Sequence, residues 1–266
     1  FCLPMAPAAT LYCMPYLIAL SLISIIFGGY LALGQTDIKK LIAYSSVGHM
    51  GFVTLGIFLL NDQGLKGAIL QMINHGITTG ALFIMVGMIY ERTHSREIAD
   101  NSALGMMMPI YVTFLGIFSL SSLAFPGTNS FVGEFLVLFG AFKKSTVIGF
   151  IAIPGAILAA AYMLRLLQKM VWDKSDGHAH HGDDHGHVLN DLNLREISMV
   201  VVLAVGVFWI GLHPGPILKI MDASVAHLVH QVTAGGAAAP PAMPHHGGHH
   251  EALLELGNWF RQVMTF

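Results

Sequence analysis

Three residues that can exchange a proton lie deep inside long apolar stretches: His49, His75 and Glu134. A carboxylate inside a membrane segment is costly unless it is paired, hydrated or protonated, so such a residue is by default a functional candidate. An imidazole gains and loses its proton near neutral pH. At a rise of about 1.5 Å per residue, the three groups fall near one level, about half-way through a bilayer. This placement predicts a lateral proton path.

The carboxylate follows an interruption in its own apolar stretch. Residues 125–135 read FPGTNSFVGEF, in which a Pro-Gly pair and a polar Thr-Asn-Ser triplet precede Glu134. A broken helix is tolerated at membrane depth only where it is buried in protein or lines a cavity. An acid beside a discontinuous helix is the arrangement expected of an ion pathway.

Simpler interpretations exist for several of these residues. A single histidine in a membrane helix can merely bond a neighbouring carbonyl, and intramembrane Ser and Thr more often bond their own backbone than hold water. Lys39, at the start of a stretch, is a weaker proton-transfer candidate, because a lysine there can snorkel to the membrane surface. The glycines at 76, 80 and 87 are more typical of close helix packing than of a gate. The hydroxyls and amides that could order water are Ser45, Ser46, Asn74, Thr78, Thr79, Ser119, Ser121 and Ser122.

The whole chain has the composition of a polytopic membrane protein. Of its 266 residues, 55% are hydrophobic and 11% are charged, and the mean hydropathy is +0.66. Soluble domains average about 25% charged residues. We therefore predict an all-α transmembrane bundle of about six spans, one of them broken. The predicted spans are 15–33, 38–60, 65–90, 103–142 (broken), 146–172 and 195–212, and residues 1–10 are predicted to form the end of a helix followed by a loop.

The bundle is predicted to occupy residues 1–216, and residues 217–266 to form a surface helix, a linker and an amphipathic C-terminal helix. A net charge of −2 argues against a nucleic-acid partner. Cys2 and Cys13 lack metal-site spacing, and no glycine-rich nucleotide motif follows a strand, so we expect no cofactor and no metal on this chain. The histidines of residues 178–187 could bind a transition metal by composition, although a solvated loop is the favoured interpretation.

Three segments have a distinctive sequence: QTDIKKLIAYSSVGHMGF at 35–52, QMINHG at 71–76 and PGTNSFVGEF at 126–135. Together they resemble the antiporter-like subunits of respiratory complex I. The third segment is similar to the M-type members, the bacterial counterparts of mitochondrial subunit 4, because sibling subunits and Mrp antiporters typically carry lysine where this chain has Glu134. The resemblance covers about residues 1–216.

This resemblance implies the second half of a fourteen-helix fold built from two inverted five-helix repeats, with further helices preceding Phe1. It implies that Glu134 is the terminal proton site and that His49 and His75 are relay positions. It also implies a multi-pass location in the inner (plasma) membrane, among lipid and the other membrane subunits of complex I. In that family, NADH oxidation and quinone reduction take place on other subunits, and this one moves protons.

Two other functions are compatible with the sequence. The first is a subunit of an Mrp-type cation/proton antiporter or of a membrane-bound hydrogenase, which neighbouring genes would distinguish from complex I. The second is a truncated chain that serves only as an assembly scaffold, which the upstream reading frame would reveal.

Overall fold

The computed structural model describes residues 2–172 and 190–237, and in those residues it contains helices and no strand. The helices are α1 (Cys2–Met5), α2 (Pro7–Leu33), α3 (Ile38–Phe58), α4 (Asp62–Thr93), α5 (Leu104–Met107), α6 (Pro109–Ser122), α7 (Asn129–Lys144), α8 (Thr146–Val171), α9 (Leu194–Leu212) and α10 (Gly215–Ala237). The predicted all-α fold is confirmed.

Five of these helices, α2, α3, α4, α8 and α9, are long and apolar enough to cross a membrane. The two shorter helices α6 and α7 follow one another and form the predicted broken span. The loop predicted for residues 1–10 is wrong in its extent, because α2 already begins at Pro7. Proline suits the first position of a helix, where its missing N–H has no intrahelical partner. Pro15, predicted as the start of this span, lies inside α2.

The break between α6 and α7 is built by local backbone chemistry. Ala124 and Gly127 adopt positive φ angles of 58° and 95°, a backbone conformation that interrupts the helix between α6 and α7. The amide of Phe125 donates to the carbonyl of Leu120 at 3.0 Å, which closes the end of α6. The hydroxyl of Thr128 donates to the Phe125 carbonyl at 2.7 Å and holds the turn before α7. The Pro-Gly signal in the sequence therefore marks a structured turn.

Helix α4 is the central element, since it packs against α3, α6, α7, α9 and α10. It lies very close to α7. A Cβ atom on Gly67 would lie 2.7 Å from the backbone nitrogen of Val137 and 2.9 Å from the carbonyl oxygen of Gly133. The glycines predicted to make close packing contacts are different ones. Gly76, Gly80 and Gly87 face open space within the described chain, so that prediction is wrong there.

Ion pairs fix both ends of α4. Near its C-terminus, Arg92 forms a bidentate pair with Glu196 of α9, at 3.0 and 2.7 Å. Near its N-terminus, Lys66 contacts Asp62 at 2.7 Å and Asp222 of α10 at 2.5 Å. Helix α10 thus packs on the bundle, against α2 and α4. The division of the chain at residue 216 stays a prediction.

We expect Gly67→Ala to destabilise the protein by about 1–3 kcal/mol, because the new methyl group would press on the α7 backbone, which cannot rotate away. Gly116→Ala is the control, since a Cβ at Gly116 meets no atom of the described chain within 4 Å. That change should be neutral or stabilising by up to about 1 kcal/mol. Thermal unfolding of the purified membrane protein measures both changes. Equal unfolding temperatures for the two variants would contradict the close α4–α7 contact.

Candidate proton-transfer site

A carboxylate and an imidazole meet at the centre of the bundle. Oε1 of Glu134 lies 2.8 Å from Nδ1 of His49. Each of the two residues is only 3% exposed. Helix α7 supplies the acid and α3 supplies the imidazole, and the sequence separation of 85 residues is closed entirely by helix packing. At this distance, one proton can lie on either partner without any change in the positions of the heavy atoms.

The second nitrogen of His49 is also in contact with proton carriers. Nε2 lies 3.3 Å from the Ser122 hydroxyl, at the end of α6, and 3.3 Å from the Tyr162 hydroxyl of α8. A hydroxyl can donate or accept, so both tautomers of His49 can find a partner at Nε2. The imidazole therefore connects the acid to groups on two further helices.

The third predicted residue, His75, lies beside this pair. Its ring centroid is 5.6 Å from that of His49, and its Nδ1 is 3.1 Å from the Thr79 hydroxyl. His75 is only half-buried, so it forms the outer member of the group. The structure therefore brings Glu134, His49 and His75 together, and their transfer of protons stays a prediction.

Lys39 is the one predicted residue that lies apart. It is exposed near the N-terminus of α3 and lines a shallow pocket with Tyr90 and Arg96. Ten residues separate it from His49 along the same helix, which corresponds to about 15 Å. No contact links Lys39 to the acid in the described chain, and its proposed role stays a prediction.

A polar network holds the start of α7 against α4 and α6. The carboxamide oxygen of Asn129 accepts hydrogen bonds from the hydroxyls of Ser121 (2.6 Å) and Thr78 (3.2 Å). The side-chain amide of Asn74 donates to the backbone carbonyl of Asn129 at 2.7 Å. All four residues are buried. The side chains of Ser121, Thr78 and Asn74 thus hold Asn129 and, with it, the half-helix that carries Glu134. The carboxamide oxygen of Asn74 and the hydroxyl of Ser119 are buried without a partner among the described residues.

Sequence reasoning missed two residues of the site. Gln71 donates from Nε2 to Oε1 of Glu134 at 3.0 Å, and Tyr162 reaches His49. Gln71 precedes His75 by four residues, so the two side chains share one face of α4, and this spacing could have identified it. Tyr162 lies in an otherwise apolar stretch of α8, where only a tertiary contact distinguishes it from a packing residue.

The arrangement can store a proton and pass it along. Glu134 accepts a hydrogen bond from Gln71 and contacts His49 at 2.8 Å, and both members of the acid–imidazole pair are buried. The acid and the imidazole are therefore close enough to exchange a proton directly.

Comparison with known proteins identifies the family of the chain. The family described as NADH:quinone oxidoreductase/Mrp antiporter, transmembrane, matches residues 1–159. The chain belongs to this family. The resemblance seen in the sequence segments is therefore confirmed.

Relatives of known name are subunits of respiratory enzymes. The chain is 42% identical over 232 residues to NADH-ubiquinone oxidoreductase chain 4 of Marchantia polymorpha, covering 86% of this chain and 45% of the relative. It is 42% identical over 228 residues to NADH-quinone oxidoreductase subunit M of Rickettsia prowazekii, covering 85% and 45%. The chain thus spans less than half the length of these relatives. The similarity to M-type subunits, which the segment around Glu134 indicated, is confirmed.

Solved structures share the fold. Respiratory complex I from Thermus thermophilus matches with a TM-score of 0.80 and 28% identity, over 87% of this chain and 48% of that one. The Mrp complex from Dietzia sp. DQ12-45-1b matches with a TM-score of 0.72 and 17% identity, over 85% and 49%, and shows the fold alone. Both are membrane complexes. Together with the apolar helices, the bacterial relatives fit a multi-pass protein of the inner membrane.

Some predictions fall on parts of the chain that the structure does not describe. The histidine-rich segment 178–187 lies within residues 173–189, and the linker and predicted amphipathic helix lie within residues 238–266. Among the residues that are described, no group of three or more His, Cys, Asp or Glu side chains could hold a metal ion.

We expect Asn129→Leu to destabilise the protein by about 1–3 kcal/mol, because the hydroxyls of Ser121 and Thr78 would lose their common acceptor in a buried site. Ser198→Ala is the control, since its exposed hydroxyl donates only to the nearby Arg195 carbonyl. The control should change stability by no more than about 0.5 kcal/mol. Thermal unfolding of both variants in detergent measures the difference. An unfolding temperature of Asn129→Leu equal to that of the control would show that the network does not secure α7.

Proposed function

We propose that this chain is the proton-translocating part of a membrane subunit of NADH:quinone oxidoreductase. The observation that carries the proposal is the buried contact of 2.8 Å between Glu134 and His49, beside the interruption between α6 and α7. An acid and a base at this distance, largely removed from water, suit the repeated loading and release of one proton.

The proposed transfer uses three groups in sequence. A proton on Oε1 of Glu134 passes to Nδ1 of His49, which leaves a carboxylate and an imidazolium. The imidazolium then releases its Nε2 proton toward the hydroxyls of Ser122 and Tyr162, or toward His75 through water. This second step leaves His49 neutral with its proton on Nδ1, and Glu134 as a carboxylate. Before the next transfer, Glu134 must take up a new proton and His49 must return to the tautomer that carries its proton on Nε2. Once both have happened the site can turn over, and the only species consumed on one side and released on the other is the proton.

The driving reaction is proposed to occur elsewhere in the assembly. Electrons would pass from NADH to quinone on other subunits, and this chain would respond to that reaction through conformation, hydration or charge near Glu134. Proton transfer between side chains requires no cofactor, so we propose that this chain carries no redox centre. Its partners would be the other membrane subunits and the surrounding lipid.

A cation/proton antiporter subunit is the main alternative, because the matching family includes Mrp antiporters. The named relatives at 42% identity are NADH oxidoreductase subunits, whereas the Mrp complex is 17% identical. This difference favours the respiratory enzyme. Proton translocation driven by NADH, with no dependence on sodium, distinguishes it from the antiporter.

We expect Glu134→Gln to reduce proton translocation by about 100-fold or more, since glutamine cannot carry the transferred proton. The uncharged side chain has the same length and retains a hydrogen bond to His49, so the subunit should still assemble. NADH-driven acidification of sealed membrane vesicles measures the loss, and the amount of subunit in the purified complex measures assembly. Glu97→Gln, at an exposed position, is the matched control and should leave translocation unchanged. Retained pumping by Glu134→Gln would exclude the proposed role.

A further inference from the structure

Only one of the two polar side-chain atoms of Gln71 has a hydrogen-bond partner among the described residues. Gln71 is fully buried, and its Nε2 donates to Oε1 of Glu134 at 3.0 Å. Its carbonyl oxygen is equally buried and has no hydrogen-bond partner among the described residues. A buried amide oxygen without a partner is unfavourable, so its presence beside the central acid requires a reason.

The orientation seen here suits only one state of Glu134. An ionised carboxylate accepts hydrogen bonds, and Nε2 of Gln71 together with Nδ1–H of His49 supply two donors to Oε1. A protonated carboxyl group must instead donate its O–H. After a transfer, His49 is left with its proton on Nδ1. When Glu134 takes up its next proton at that stage, its O–H faces donors on both sides and needs an acceptor.

We propose that Gln71 is a positioning residue whose side-chain amide rotates about its terminal torsion, so that its N–H group and its carbonyl oxygen exchange places. It donates an N–H to ionised Glu134 and presents its carbonyl oxygen to protonated Glu134. The turn breaks one hydrogen bond and forms another. No second bond is lost, because the carbonyl oxygen has no partner in the starting orientation. The loaded proton stays on Glu134, and Gln71 remains neutral in both states. This inference rests on the proposed function of Glu134 as a proton carrier.

The neighbouring residue on α7 supplies the room for this turn. Gly133 lies directly against Gln71, and a Cβ atom at Gly133 would collide with the Gln71 carbonyl oxygen and lie 3.1 Å from its Cα. The terminal torsion of a glutamine has broad minima, so rotation is limited mainly by such neighbours. A side chain at residue 133 would therefore remove the space beside the amide.

Other ionisable groups near Glu134 cannot fill this role. In the described helices that pack against α7, the groups facing the acid are His49 of α3, Tyr162 of α8 and, behind His49, His75 of α4. Arg92 and Glu196 pair with each other about 30 Å along α4 from Gln71. Of the residues in direct contact with Oε1, Gln71 alone is a neutral group that both donates and accepts without changing its proton count.

The test compares Gln71→Met with the native intact complex in sealed vesicles. Methionine keeps the volume but neither donates nor accepts strongly. We expect NADH-driven translocation to fall about tenfold, the loss expected when one hydrogen bond to a charged group is removed. We also expect the infrared carbonyl band of protonated Glu134, assigned by its absence in Glu134→Gln, to move to higher frequency. An unmoved band with an unchanged rate would overturn the inference.

A second variant and a control complete the experiment. Gln71→Glu retains a group that can accept or donate, so it should keep most of the rate and move the pH midpoint of translocation upward, because a second acid disfavours ionisation of the first. Complete loss of translocation in assembled Gln71→Glu, or an unmoved midpoint, would also overturn the inference.

Ser119→Ala is the control. It removes a different kind of buried polar atom, a hydroxyl that also has no partner in the described chain, and should change neither the translocation rate nor the infrared band. Normal pumping by Glu134→Gln would instead refute the proposed function, whatever the Gln71 variants do.

Discussion

The structure depends on one contact, the hydrogen bond between the buried side chains of Glu134 and His49. Burying an isolated carboxylate is too costly for a fold of ordinary stability, so the acid must be paired, hydrogen-bonded or neutral. His49 and Gln71 provide the partners for the charged form, and both come from helices packed directly against α7.

The remainder of the bundle can be understood as support for this contact. The turn at 123–128 ends α6 next to His49, so that Ser122 reaches its Nε2, and starts α7 where Asn129 can be held by Ser121, Thr78 and Asn74. Close approach at Gly67 and Gly133 brings the α4 backbone near α7, which places the Gln71 amide within reach of the acid. The ion pairs at Arg92 and Lys66 fix the two ends of α4. A helix held at both ends and packed through glycines can position a hydrogen-bond donor reproducibly.

Much of this could be predicted from the sequence, for definite physical reasons. Long apolar runs specified the spans, the Pro-Gly pair specified the break, and the common depth of His49, His75 and Glu134 predicted that they would meet. The start of α2 was misplaced because a proline favours a helix start at Pro7 and yet is accommodated within the helix at Pro15. Gln71 and Tyr162 were missed because a single polar residue in an apolar stretch acquires its role only from residues on other helices. The sequence also could not show which glycines lie at helix contacts. Gly67 and Gly76 both lie within α4, but Gly67 lies against the α7 backbone and Gly76 has no described atom near it.

A double-mutant cycle on proton translocation most directly tests whether Glu134 and His49 act as one unit. Glu134→Gln, His49→Gln and the variant with both changes would be compared with the native complex in sealed vesicles, with the assembled subunit measured in each. If the two residues share one proton, the double variant should lose about as much activity as the more damaging single variant. If the double variant loses the product of the two single losses, the residues act independently and the shared-proton account is contradicted.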